Sequence, residues 1–118
     1  FGSSFGGKVA FHTAADDDRI EAVATRAPVT LNRALDGRFF ADLDRYRFER
    51  AADAVDVPVA IFHGASDDSV PVEDSFEAAR RLGTDVLVET FADEGHRFSG
   101  DAERRMRDRL FGWLSEVV

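Results

Sequence analysis

The sequence predicts an α/β fold built on parallel strands, and three observations carry that reading. Residues 58 to 63, Pro58-Val59-Ala60-Ile61-Phe62-His63, form a near-continuous apolar run closed by Gly64. Continuous rather than alternating apolarity points to a strand buried on both faces, as a parallel sheet requires. Beyond this run, helix and strand patterns alternate to the end of the chain, the rhythm of an α/β domain. At the start, Gly2-Ser3-Ser4-Phe5-Gly6 is a G-x-S-x-G turn, which sets a serine on a sharp strand-to-helix junction with its hydroxyl pushed outward.

Each element follows from its own pattern. Phe5 to about Ala15 reads as a helix, with Phe5, Val9 and Thr13 on one face and with Gly6 and Gly7 allowing close approach to a neighbouring strand. The acidic run Asp16-Asp17-Asp18 is its solvated exit. Ile20 to Ala27 suits a short buried strand stopped by Pro28. After the strand at 58 to 63, Asp74 to Leu82 is a helix whose inner face is Phe76, Ala79 and Leu82. Arg80 and Arg81 complement its C-terminal dipole and Gly83 stops it. Val86 to Phe91 is a further strand. A last helix runs from about Asp101 to Val117 and buries Ala102, Met106, Leu110, Trp113, Leu114 and Val117. Residues 29 to 57 interrupt the rhythm with a charged, Phe-rich stretch holding Phe39, Phe40, Tyr46 and Phe48. They read either as core filling or as a lid or wall of a substrate pocket. There is no internal repeat and no low-complexity tract.

Composition bounds the function classes. With 118 residues and no cysteine, the chain is one domain at most, without disulfides or cysteine metal sites. No stretch approaches the roughly 18 apolar residues of a membrane span, and the first residues lack the pattern of a signal peptide. A cytoplasmic setting is the expectation. Acidic residues outnumber basic ones 23 to 15, the formal charge is −8, and Lys8 is the only lysine. Such a surface repels nucleic acid and acidic lipid. It suits either a salt-adapted source, where carboxylates stay hydrated and screened, or a GC-rich genome that favours arginine codons.

Three groups fall where an α/β sheet carries chemistry, at the C-terminal ends of strands. Ser4 sits in the glycine-flanked turn. Asp67 follows the strand 58 to 63 within His63-Gly64-Ala65-Ser66-Asp67-Asp68-Ser69-Val70-Pro71, and His96 follows the strand 86 to 91 within Glu94-Gly95-His96-Arg97-Phe98. A serine hydroxyl needs a base to become a nucleophile, and the base needs a carboxylate to fix its tautomer and stabilise the imidazolium. Asp68 competes with Asp67 for the carboxylate role; a spacing of three residues after Gly64 selects Asp67. His63 reads as a structural residue bonding backbone in its turn, and His12 as a partly exposed helical residue. Glu94 is expected to face solvent or to tune His96 weakly, and Arg97 has no distinct chemistry. The histidines at 12, 63 and 96 lack ligand spacing, so no metal is expected. No phosphate loop is present, so no nucleotide cofactor is expected either.

The elbow Gly2 to Gly7, the H-G-x-x-D-x-x-V-P pattern from His63 to Pro71 and the E-G-H-R-F pattern from Glu94 to Phe98, in the order Ser, Asp, His, together resemble an α/β-hydrolase. The resemblance covers nearly the whole chain and is nearest to dienelactone-hydrolase-like and prolyl-oligopeptidase-like members. It implies the C-terminal portion of an α/β-hydrolase fold, with Ser4 as nucleophile, His96 as base, Asp67 as orienter, and the backbone N–H of Phe5 as first oxyanion donor. The implied reaction is cleavage of an ester, thioester or amide through an acyl-enzyme, on a small-molecule acyl substrate and without a cofactor. An acyltransferase using the same triad, or a non-catalytic relic acting as a binding or assembly module, are the alternatives. By the same resemblance, the second oxyanion donor and the strand entering the elbow would lie upstream of Phe1. The chain then reads as a piece of a longer frame or as a truncated member. It would have three strands and an unpaired edge beside residues 20 to 27, which a complementing N-terminal segment or a second copy would cover.

Overall fold

The computed structural model describes residues 1–30 and 47–118. Among them, four strands form one parallel sheet in chain order: β1 (Gly2–Ser3), β2 (Val23–Arg26), β3 (Val59–Gly64) and β4 (Val86–Phe91). Four helices accompany them: α1 (Phe5–Asp16), α2 (Phe48–Ala54), α3 (Val72–Arg81) and α4 (Gly100–Val117). Each strand steps the same way across the sheet, so right-handed crossovers bring the connecting helices to one face. Phe11 and Ala14 of α1, Ala51 and Ala52 of α2 and Ala78 of α3 accordingly form one core with Val23, Val59 and Ile61. On the other face, Ala102 and Met106 of α4 pack with Ala24, Ala60, Phe62, Phe91 and Phe98.

Strand β3 is buried at all six positions, as its unbroken apolar run predicts, because it is sandwiched between these two cores. It pairs with β2 from Val23↔Val59 to Arg26↔Phe62 and with β4 from Val59↔Val86 to Gly64↔Phe91. The strands 58 to 63 and 86 to 91 and the helices at both ends of the chain therefore lie where their patterns put them. The strand expected over Ile20 to Ala27 is shorter, since only Val23–Arg26 reaches β3.

Several expectations are corrected. The edge beside residues 20 to 27 is paired: Gly2 and Ser3 lie opposite Thr25 and Arg26 as β1. Two residues at the lip of a turn are too few to carry a strand pattern. In α1, Phe5, Val9 and Thr13 do share a face, but it is the exposed one, with Phe5 at 55% and Val9 at 51% accessibility. The helix instead buries Gly7, Lys8, Phe11 and Ala14. Gly7 is the reason: a Cβ there would stand 2.7 Å from Pro28 Cβ, so this face alone permits close approach to the sheet. Gly6 meets no such neighbour. In α3, which begins at Val72, Phe76 is exposed, and the buried positions are Asp74, Ser75 and Ala78, with Leu82 just beyond. A polar contact of Ser75 described below turns the helix that way. In α4 only Ala102 and Met106 are buried, and Leu110, Trp113, Leu114 and Val117 are half-covered, Leu110 and Trp113 packing against the margin of their core.

Helix α2 is not foreseen in the sequence. It places Phe48 in the core, edge-on to Phe11 with ring centroids 5.2 Å apart, so Phe48 takes the core-filling role. Phe39, Phe40 and Tyr46 lie outside the described residues. Lys8 is buried on α1, and burial pulls its pKa down while the Glu49 carboxylate of α2 partly restores it. No helix among the described residues is long and apolar enough to cross a membrane.

The centre of the second core is Phe62, fully buried and stacked on Phe91 at 6.4 Å. Phe62→Ala is expected to cost about 3–5 kcal/mol, lost transfer energy plus a cavity between two packed layers. Urea unfolding should register this as a lower midpoint at unchanged m-value.

Candidate active site

The described site is assembled at the C-terminal edge of the sheet from three turns. The first is the elbow between β1 and α1. Ser4 has φ 57° and ψ −120°, a conformation that costs a non-glycine residue on the order of 1–3 kcal/mol. Hydrogen bonds hold it there: Ser4 N–H donates to Arg26 O at 2.9 Å, and Ser4 O accepts from Gly7 N and Val29 N, both at 3.0 Å. The turn also needs Gly2, where a Cβ would stand 2.1 Å from the Gly6 carbonyl oxygen. Phe5 is the first residue of α1, so its N–H has no acceptor within the helix.

The second turn follows β3. Asp67 N–H donates to Gly64 O at 3.2 Å, and the Asp67 carboxylate folds back over the turn, accepting from Ser69 N and Val70 N through Oδ1, each at 2.8 Å. Asp68 is exposed, so the spacing argument picks the residue that is turned inward. The third turn follows β4, where Asp93 takes a left-handed φ of 66° that aspartate tolerates. This loop rests directly on β3: a Cβ on Gly64 would stand 2.3 Å from Glu94 O. Ser66 N–H donates to that same carbonyl at 2.9 Å.

Together the turns bring Ser4, His96 and Asp67 into a hydrogen-bonded line. His96 Nε2 is 3.1 Å from Ser4 Oγ, and His96 Nδ1 is 2.9 Å from Asp67 Oδ2. The Asp67 side chain is wholly buried and that of His96 one quarter exposed. Burial by itself raises the Asp67 pKa. The Val70 amide, the His96 hydrogen bond, the Ser69 amide and the His96 charge together outweigh it and hold the carboxyl below its ordinary value. Asp67 is therefore a carboxylate near neutral pH, able to accept from His96 Nδ1–H and leave Nε2 facing the serine.

Three side chains support this line in ways the sequence reading did not foresee. Glu94, expected to face solvent or to tune His96 weakly, accepts from Ser99 N at 2.6 Å and from Ser99 Oγ at 3.2 Å. Ser99 in turn caps α4 by accepting from Ala102 N, so Glu94 ties the histidine loop to the start of the helix. Arg26 donates to Ser3 Oγ at 2.9 and 3.2 Å and lies over the Phe98 ring at 5.4 Å, joining the elbow to the same loop. His63 bonds the Val70 carbonyl, the backbone contact expected of it, and also Asp67 itself. Spacing offered no signal for Arg26, because its partners lie 23 and 72 residues away. His12 lies part-exposed on α1, Arg97 is exposed, and among the described residues no His, Cys, Asp or Glu cluster could hold a metal.

The model of the prolyl oligopeptidase family matches residues 1–118, the whole chain. The chain belongs to the prolyl oligopeptidase family. Solved structures agree on the α/β-hydrolase fold. Est1E from Butyrivibrio proteoclasticus superimposes with a TM-score of 0.79 at 21% identity, over 98% of this chain and 59% of that one. The esterase domain of a Rhodothermus marinus protein gives 0.78 at 18%, over 97% and 58%. A dienelactone hydrolase from Anabaena variabilis gives 0.74 at 22%, over 100% and 48%. The chain thus spans less than two thirds of the length of these three structures, a partial α/β-hydrolase domain. No curated protein matches it.

The depressed Asp67 pKa fixes a pH dependence for this family member. A carboxylate whose folded pKa lies below its unfolded value of about 3.9 stabilises the fold fully above that value and loses the contribution as pH falls through the folded pKa. Compared by chemical denaturation, the native chain should exceed Asp67→Asn in stability by a constant margin above about pH 5, and the margin should shrink below about pH 4.

Proposed function

We propose that the chain carries the catalytic triad of a serine hydrolase that cleaves esters through an acyl-enzyme. The observation that carries the proposal is the unbroken line from Ser4 Oγ to His96 Nε2 at 3.1 Å and from His96 Nδ1 to Asp67 Oδ2 at 2.9 Å. Family membership favours a serine hydrolase, and the esterase structures of the same fold favour esters among its substrates.

In the proposed reaction, His96 Nε2 takes the Ser4 hydroxyl proton as Oγ attacks the acyl carbon. The resulting imidazolium is stabilised by Asp67 through Nδ1–H and returns the proton to the leaving alcohol. Water then repeats the cycle on the Ser4 ester. The tetrahedral oxyanion would be met by the Phe5 N–H at the N-terminus of α1, where the helix dipole adds favourable potential. Esters are preferred over amides because an alkoxide departs with less protonation than an amine. Thioesters and amides remain within the reach of the same residues, and an acceptor other than water would make the reaction acyl transfer. The acidic composition, with 23 acidic against 15 basic residues, favours a neutral or cationic substrate over a polyanion.

A fluorophosphonate probe tests the proposal, since it reacts only with a serine whose base is in place. The folded chain should be labelled at Ser4, with labelling abolished in Ser4→Ala and slowed at least about 100-fold in His96→Ala, as expected for loss of the general base. Folded chain that takes no label at Ser4 would overturn it.

A further inference from the structure

The second histidine of this site has no part in the mechanism above, yet it is the more deeply buried of the two. His63 is 0% exposed and ends the apolar run of β3, where a polar ring must have every hydrogen-bonding atom satisfied. Its Nε2 lies 2.8 Å from the Val70 carbonyl oxygen and 3.1 Å from Asp67 Oδ2, and its Nδ1 lies 2.5 Å from Ser75 Oγ. A ring nitrogen between two acceptors must carry hydrogen, because two lone pairs facing a third would repel. In the neutral ring, Nδ1 then holds the lone pair and accepts from the Ser75 hydroxyl. This need explains why α3 turns Ser75 rather than Phe76 toward the sheet.

From Asp67 the same arrangement looks different. Oδ1 is occupied by the two amides of Ser69 and Val70, and Oδ2 by two imidazoles, His96 at 2.9 Å and His63 at 3.1 Å. One carboxylate oxygen thus serves both histidines. The other charged groups around the site are Glu94, on the loop of His96 and engaged by Ser99, Asp74, buried on α3 next to Ser75, Arg26, held by Ser3 Oγ over the Phe98 ring, and Arg97, exposed beside His96.

We propose that His63 is a positioning residue of this site: neutral, with its one Nε2 hydrogen shared between the Val70 carbonyl at 2.8 Å and Asp67 Oδ2 at 3.1 Å, it divides with His96 the oxygen that orients the reacting imidazole. The inference rests on the Ser4–His96–Asp67 reading for its consequence in catalysis. It stands on the His63 contacts for its chemistry. With Oδ1 pinned by two amides, losing His63 does not free the carboxylate to swing away. It leaves Oδ2 wholly to His96, strengthens the pull on Nδ1–H, and favours the imidazolium. His63 therefore keeps His96 a weaker base than an undivided carboxylate would make it, so that His96 yields its proton to the leaving group more readily.

Nitrogen-detected NMR of the two imidazoles tests this without requiring turnover. In the native chain near neutral pH, His63 should show hydrogen on Nε2 and a bare Nδ1. The His96 titration midpoint should rise by at least about half a pH unit in His63→Leu, which has no donor, and by less than about 0.2 in His63→Gln, which keeps one. On an ester substrate the acidic limb of kcat/KM should move up with it while KM stays within about twofold. Hydrogen on Nδ1 of His63 would overturn the inference, as would an unchanged or lowered His96 midpoint in folded His63→Leu. The tautomer is read on the unaltered chain, so it decides even where His63→Leu does not fold. If the NMR results hold but Ser4 takes no fluorophosphonate, the hydrolase reading fails and the role of His63 stands.

Discussion

The site depends on one strained residue and on what restrains it. Ser4 adopts a backbone conformation that an isolated chain would abandon, and three main-chain hydrogen bonds, to Arg26 and from Gly7 and Val29, hold it. All three involve either the end of β2 with the turn after it or the first turn of α1. The turn after β2 is itself unusual: Ala27 has φ 46° and donates to Phe62 O at 2.8 Å. Strain at the serine is thus balanced by ladder geometry extending to the central strand, and the direction of Ser4 is a property of the sheet rather than of its own loop.

A second dependence is electrostatic. Asp67 is buried, and a buried carboxylate keeps its charge only if its acceptor sites are filled. Four donors fill them, two amides and two imidazoles. Each comes from a segment whose path is set by something else. The amides belong to the turn after β3, His63 to β3 itself, and His96 to a loop tied to α4 through Glu94 and Ser99. Charge at the centre and order at the periphery are therefore the same fact, since releasing any of these segments removes a donor.

The strands at 59–64 and 86–91 were legible because an apolar run too short for a helix, closed by a turn, has few other places to go. The order of Ser4, Asp67 and His96 was legible because motif spacing is local. Helix faces were harder. In α1 the inward face includes Gly7 and Lys8, which carry no apolar signature, while Phe5 and Val9 suggested a stripe that points outward. In α3 the inward face is chosen by a hydroxyl that satisfies His63, and periodicity counts only hydrophobicity. β1 is two residues long, and α2 hides in a stretch whose charges and phenylalanines share no period. Arg26 bridges Ser3 and Phe98, residues far apart in sequence. Local order was readable; what depended on a distant partner was not.

Gly64 gives this organisation a mechanical meaning. Its α-carbon leaves no room for a methyl group beneath the Glu94 and Gly95 carbonyls, and the Ala65 and Ser66 amides donate to Phe91 O and Glu94 O at 2.9 Å. The turn bearing Asp67 and the loop bearing His96 are in consequence one mechanical body. Displacing either backbone breaks an amide–carbonyl hydrogen bond to the other. The 2.9 Å contact between Asp67 and His96 is thereby set by main-chain packing and not by the two side chains alone.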